Sequence, residues 1–256
     1  MPFRRVEGRA KLSSGKIRVC VIGNSHVACV KRAWDDIRHE QPGVELTFFA
    51  ARGRALQFLE VAGRVLAAGD ERLRENLVFT SGGRAEIDPE EYDFFLLFGL
   101  GFQLPGIASF TSSAAASQAS AGSFDRSLNC KIAGLLRQVT DKDIFIGHNP
   151  QWAKNAEKAY HEGVYDIAFG LVRSAVRERG FTLVRQPAQT IVDGWFTEPA
   201  LSAGSLRLDV SGKVAGEAHR QKDVSHMNVT FGKIWLTEFL RLHATRPTAI
   251  TADVLP

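Results

Sequence analysis

The chain has 256 residues, 45% of them hydrophobic and 23% charged, the proportions of a folded globular protein rather than a disordered one. Thirty-two basic residues against 28 acidic leave a formal charge of +4; the basic residues are scattered and not interleaved with aromatics, so no nucleic-acid partner is expected. No apolar run approaches the roughly 18 residues of a membrane span, and the segment carrying Arg4, Arg5, Arg9, Lys11 and Lys16 lacks the apolar core of a secretory signal, so neither a membrane nor export is expected and the cytoplasm is the expected compartment.

Residues 1–15 read as a flexible segment. Ile17–Gly23 (IRVCVIG) is a β-branched run ending in Gly, the signature of a strand buried on both faces. Ser25–Gln41 follows at helical spacing and stops before Pro42-Gly43. Val44–Ala50 reads as a second strand, Ala55–Leu66 as a second helix, and Asn76–Ile87 as a hairpin turning at Ser81-Gly82-Gly83-Arg84. Tyr92–Phe98 (YDFFLLF) is a third strand. From Gly99 to Gly122 the periodicity breaks, and a Gly/Ser/Ala-rich excursion beside a site is expected. Phe124–Val139 reads as a helix, Asp143–Gly147 as a strand, Glu157–Arg179 as one or two helices and Phe181–Arg185 as a fifth strand. Gln189–Gln221 is irregular, and Val229–His243 is a closing helix. Alternation of strands and helices predicts one α/β domain over 16–246, a parallel sheet with helices on both faces, and a polar tail over 247–256.

Ligands of open parallel sheets collect at the carboxyl ends of the strands. That rule selects Gly23–His26, Arg52–Gly53, Gly99–Gln103 and His148–Asn149, to which Asp223-Val-Ser-His226, just before the last helix, is added. Ser25 has two readings, a helix cap or a nucleophile beside helix N–H groups. Asp223-x-x-His226 favours the second: a serine needs an imidazole base, itself oriented by a carboxylate, and Asp three residues before His in a tight turn can supply both.

Gly23-Asn24-Ser25-His26 resembles the first conserved block of the SGNH (GDSL-type) hydrolases, and Asp223-Val-Ser-His226 their last, a correspondence that spans the chain from first strand to final helix. The resemblance implies a flavodoxin-like three-layer α/β/α fold with a parallel five-stranded sheet. It also implies Ser25 as nucleophile, His226 as general base, Asp223 as its orienting carboxylate and Gly53 as an oxyanion donor. Asn24 stands where the family commonly has Asp. Where the family carries an oxyanion Asn after the third strand, this chain has Gly101; Gln103, Asn149 or a nearby backbone N–H are the substitutes to consider. By analogy the protein is a serine esterase acting on a small ester, with O-acyl groups on a carbohydrate as the first class to test. The alternatives are an acyltransferase to a glycan, or a weak or inactive binding protein of the same fold.

Gly99-x-Gly101 follows a strand, yet the third glycine and immediate helix of a dinucleotide site are missing, so no cofactor is expected. Cys20, Cys29 and Cys130 have no C-x-x-C spacing, and Cys20 and Cys29 read as small buried hydrophobes; no metal is expected. Arg52, Arg54 and His148 are expected near the cleft, and oligomeric state is left open.

Overall fold

The computed structural model describes residues 15–106, 113–155, 157 and 159–244; the expected N-terminal segment and the 247–256 tail lie outside them, save Gly15. Five parallel strands form the central sheet: β1 (Ile17–Gly23), β2 (Val44–Ala50), β6 (Phe94–Phe98), β7 (Ile144–Gly147) and β8 (Thr182–Val184), in spatial order β2-β1-β6-β7-β8. This is the flavodoxin-like order, and the chain reverses direction across the sheet between β1 and β6. The crevice outside their carboxyl ends is therefore the expected binding place.

Alternation along the buried strands divides the core in two. Val19 and Val21 of β1 and Phe94, Leu96 and Phe98 of β6 face the layer made by α1 (Val27–Ile37) and α6 (Val229–His243). Cys20, Ile22, Phe95 and Leu97 face the opposite layer, built from α2 (Glu71–Ser81), α4 (Leu128–Arg137) and α5 (Val164–Glu178), with α3 (Ser113–Asp125) packed on α5. Period-two alternation with both faces apolar is what helices on both sides of a parallel sheet require. The helices α1 and α6 approach so closely that a Cβ on Gly232 would overlap the Cys29 carbonyl. This contact joins the first helix to the last. Among the described residues no helix is long and apolar enough to cross a membrane.

Two expected elements are corrected. Ala55–Leu66 is not a helix but a 3-10 turn (Ala55–Phe58) followed by strand β3 (Leu59–Ala62), which pairs antiparallel with β4 (Val65–Ala68). Gly63, at φ +66°, opens the two-residue turn between them, a conformation that glycine adopts without steric cost. Asn76–Ile87 is not a hairpin. Asp70 caps α2 by accepting from the Leu73 N–H (2.7 Å), and Gly82 ends it in the left-handed region at φ +77°. Glycine at that position stops a helix as readily as it turns a hairpin; only the short β5 (Glu86–Ile87) then joins β4. Within the Gly99–Gly122 excursion, residues 107–112 lie outside the described ones and α3 begins at Ser113. The Phe124–Val139 helix is likewise divided, α3 ending at Asp125 and Ser127 capping α4.

Candidate active site

The first strand ends at Gly23, pressed against Val27 and the Phe98 carbonyl with no room for a Cβ. This close packing turns the chain directly into α1. Helix α1 begins at Val27 without a side-chain cap, and Asn24 Oδ1 accepts from the His26 N–H (3.2 Å). The serine hydroxyl is thus not a cap. It lies 3.0 Å from His226 Nε2, across 201 positions of sequence.

His226 is held from every side. Its Nδ1 lies 2.9 Å from Asp223 Oδ2, so the carboxylate accepts the ring proton and leaves Nε2 to take the serine's. Asp223 Oδ1 accepts from the backbone N–H of Ser225 (2.8 Å), the Ser225 hydroxyl (2.8 Å) and the His226 N–H (3.0 Å). Burial alone would raise the Asp223 carboxyl pKa, but hydrogen bonds from Ser225 and His226 outweigh it and hold the group well below the usual carboxylate range. The predicted serine, carboxylate and imidazole therefore meet, in the order that acyl transfer uses.

The structure adds two histidines. His26 stacks on the His226 ring (centroids 4.6 Å apart, planes 14° apart), and so does His219 (3.8 Å, 14°). Two rings this close cannot share one face, so His226 is sandwiched. His219 Nδ1 also lies 3.2 Å from Asp223 Oδ2. It comes from the irregular segment before Asp223, four residues ahead of it, where no periodicity shows which way its ring points. Burial depresses both flanking imidazoles, His26 to about 3 and His219 to about 4, with the neighbouring His226 adding to the effect in each.

His219, Asp223 and His226 are also the one group of possible metal ligands found among the described residues, their donor atoms within 4.8 Å of one another. The geometry does not suit an ion. A ring nitrogen's lone pair lies in its ring plane, and two nearly parallel planes 3.8 Å apart cannot converge at the roughly 2.1 Å that a metal requires.

The loops expected to receive an oxyanion present backbone. Gly53 (φ +66°) and Gly101 (φ +75°) line a cavity of about 140 Å³ together with Asn24, Arg54, Leu100, Arg126, Ser127 and Leu128. The N–H groups of Ser25, Gly53 and Gly101 bond to no other described residue. Nothing lies within 4 Å of where a Gly101 Cβ would be, so the position of the family's Asn side chain is open space. Asn149 faces the α-carbon of Gly99 beside Asn24, and its buried Oδ1 has no hydrogen-bond partner among the described residues. Gln103 is not among the cavity's lining; its carbonyl accepts from Ser123 Oγ (2.8 Å). The loop is fixed by Asn129, whose amide donates to the Gly99 carbonyl (2.6 Å).

Two residues expected at the cleft are engaged elsewhere. His148 is buried, its Nε2 3.0 Å from the Tyr165 hydroxyl, and desolvation lowers it to about 4. Arg52 donates to the Leu208 carbonyl (2.7 Å) and pairs with Glu217 (3.2 Å), bracing the segment that carries His219.

His26, His148 and His219 give the fold a defined acid limit. Their folded pKa values lie below the ordinary value near 6.5, so between the two the unfolded chain binds protons that the folded chain refuses. Stability is complete above about pH 6.5 and declines as pH falls toward 4, at about 1.4 kcal/mol per pH unit for each proton difference; Asp223, with its depressed pKa, adds a loss at still lower pH. The urea midpoint at pH 5 is expected to lie clearly below that at pH 7.5, and an unchanged midpoint would contradict the burial of these rings.

No protein-family model matches the sequence, and no curated protein matches it. Among solved structures the chain is similar to the periplasmic domain of a lipopolysaccharide acetyltransferase from Salmonella ser. Paratyphi A, with 11% identity over 90% of this chain and 85% of that one and a TM-score of 0.47. It is similar to a lipase/acylhydrolase from Enterococcus faecalis (10% identity, 88% and 94% covered, TM-score 0.38). A third is BT4096, a gut microbial diltiazem-metabolizing enzyme (9%, 91% and 48% covered, TM-score 0.42). From the chain's own sheet order, with serine after β1 and D-x-x-H before α6, the fold is SGNH-hydrolase-like.

Proposed function

We propose that the protein is a serine esterase of the SGNH type, acting on a small ester. The supporting observation is the continuous chain Ser25–His226–Asp223, at 3.0 and 2.9 Å. Ser25 Oγ attacks the ester carbonyl while His226 Nε2 takes its proton; the imidazolium is balanced by Asp223 and flanked by two neutral rings. The oxyanion is received by the N–H groups of Ser25 and Gly53, with the Gly101 N–H where the family has an Asn side chain. His226 then protonates the departing alcohol, and water, activated by the same imidazole, releases the acid from the acyl-enzyme.

A short acyl group suits a cavity of about 140 Å³, and O-acyl groups on a carbohydrate are the first class to test. The open space at Gly101 supports a second reading, that of a slow enzyme or a binding protein, since loss of one oxyanion donor typically costs about 2.7–4 kcal/mol. Transfer of the acyl group to a sugar hydroxyl would use the same residues. Neither nucleic acid nor a membrane is proposed as partner. The three cysteines are all unpaired, which suits a reducing compartment, and on that ground we assign the protein to the cytoplasm.

The test is covalent labelling. A fluorophosphonate is expected to add one phosphonyl group at Ser25, seen by peptide mass, and to leave Ser25→Ala and His226→Ala unlabelled. Absence of an adduct, together with p-nitrophenyl acetate turnover no greater than that of Ser25→Ala, overturns the esterase reading in favour of the binding protein.

A further inference from the structure

The cavity beside Asn24 has an unusual charge. Its lining contains two guanidinium side chains, Arg54 from the loop after β2 and Arg126 from the turn between α3 and α4, and no carboxylate. Other arginines from neighbouring segments are paired: Arg52 with Glu217, and Arg179 with Asp125, the residue before Arg126. Neither Arg54 nor Arg126 makes an ion pair with a described residue. The remaining polar groups of the lining add no negative charge, and the N–H groups of Gly53 and Gly101 point the same electrostatic way. Both arginines are exposed to solvent, so either guanidinium can turn onto an anionic occupant of the cavity without breaking an ion pair.

The position of the cavity says which half of an ester would enter it. His226 must reach the departing alcohol to protonate it, so the alcohol half lies on the imidazole side of Ser25. That side is bounded by the stack of His26, His226 and His219, whereas the cavity is lined by Asn24, the neighbour of Ser25, and by neither Ser25 nor any of these rings. The oxyanion donors Gly53 and Gly101 do line it, and the acyl chain extends from the same carbon as the oxyanion. Building on the esterase reading above, we infer that Arg54 and Arg126 select esters whose acyl half ends in an anion, such as the half-ester of a short dicarboxylic acid.

Three naphthyl or phenyl esters separate the possibilities: 1-naphthyl acetate (neutral), mono-1-naphthyl succinate (anion on the acyl half) and 4-acetoxybenzoate (anion on the alcohol half). For the wild-type protein kcat/KM for the succinate half-ester is expected to exceed that for the acetate at least tenfold at low salt. That ratio should shrink as salt is raised and collapse toward unity in Arg54→Gln/Arg126→Gln. A wild-type ratio of one or less, or a ratio untouched by the double substitution, overturns the inference while acetate turnover leaves the esterase reading standing. Preference for 4-acetoxybenzoate, lost on the double substitution, overturns the assignment to the acyl half. Binding decides the matter even without turnover: Ser25→Ala should bind the succinate half-ester at least tenfold more tightly than the acetate, by naphthyl fluorescence, and the added double substitution should abolish the difference. Equal affinities would overturn the inference independently of catalysis.

Discussion

Ser25→Ala is expected to lower kcat toward p-nitrophenyl acetate by roughly 10⁴- to 10⁶-fold, His226→Ala by a similar factor, and the double variant by no more than either alone. The reason is the contact between them. At 3.0 Å the imidazole takes the serine proton in the first step, and its later proton transfers to the alcohol and from water all depend on the acyl-enzyme which that step makes, so neither group does its chemistry without the other. What survives in all three variants is the contribution of the Ser25-position, Gly53 and Gly101 N–H groups and of binding, which alanine at 25 leaves in place. Losses that multiply in the double variant would mean that the two residues act separately, and the proposed base would have to be sought elsewhere. Circular dichroism of each variant distinguishes lost chemistry from lost structure.

Asp223→Asn is expected to cost on the order of 10⁴ in kcat with its shape preserved. Every group that Asp223 meets at 2.8–3.0 Å is a donor or a ring nitrogen: the Ser225 N–H and hydroxyl, the His226 N–H and His226 Nδ1. His219 Nδ1 approaches the same Oδ2 at 3.2 Å. An amide placed there turns an NH₂ toward at least one of them, favours the wrong tautomer of His226 and points a proton at Ser25. His219→Phe retains a stacking ring but removes the second nitrogen from Oδ2. About a tenfold loss of kcat is expected from it, because Ser225 and His226 still hold the carboxylate. If Asp223→Asn lost less than His219→Phe, the carboxylate would not be what orients the base.

The proposed catalytic residues were legible because each sits at a place that the fold dictates. An apolar run ending in Gly-Asn-Ser declares a strand end, and Asp223-x-x-His226 before a helical stripe declares the opposite chain end returning to it. The long strands β1, β2 and β6 and the helix α6 were readable for the same reason, namely sustained burial with one periodicity. Ala55–Leu66 was not, since Leu56, Leu59, Ala62 and Leu66 happen to fall at helical spacing. Their true pairing across Gly63-Arg64 places Leu59 and Leu66 together in the core of a hairpin. At Gly82 one residue served two punctuation roles, and the cap at Asp70 was the better clue. His219 was invisible for a different reason: its partners Asp223 and His226 lie only four and seven residues on, but an irregular segment carries no periodicity from which its direction could be inferred.

The contact between Gly232 and Cys29 has a consequence in time. Ser25 and His226 are separated by 201 positions of chain, and the two meet only when α6 settles on α1 without a side chain between them. Until then Ser25 is an ordinary alcohol, so an incompletely folded chain is not expected to attack the esters around it. Reactivity at Ser25 thus reports that the first and last helices have closed on each other, and a lesion that lifts α6 is expected to silence the site.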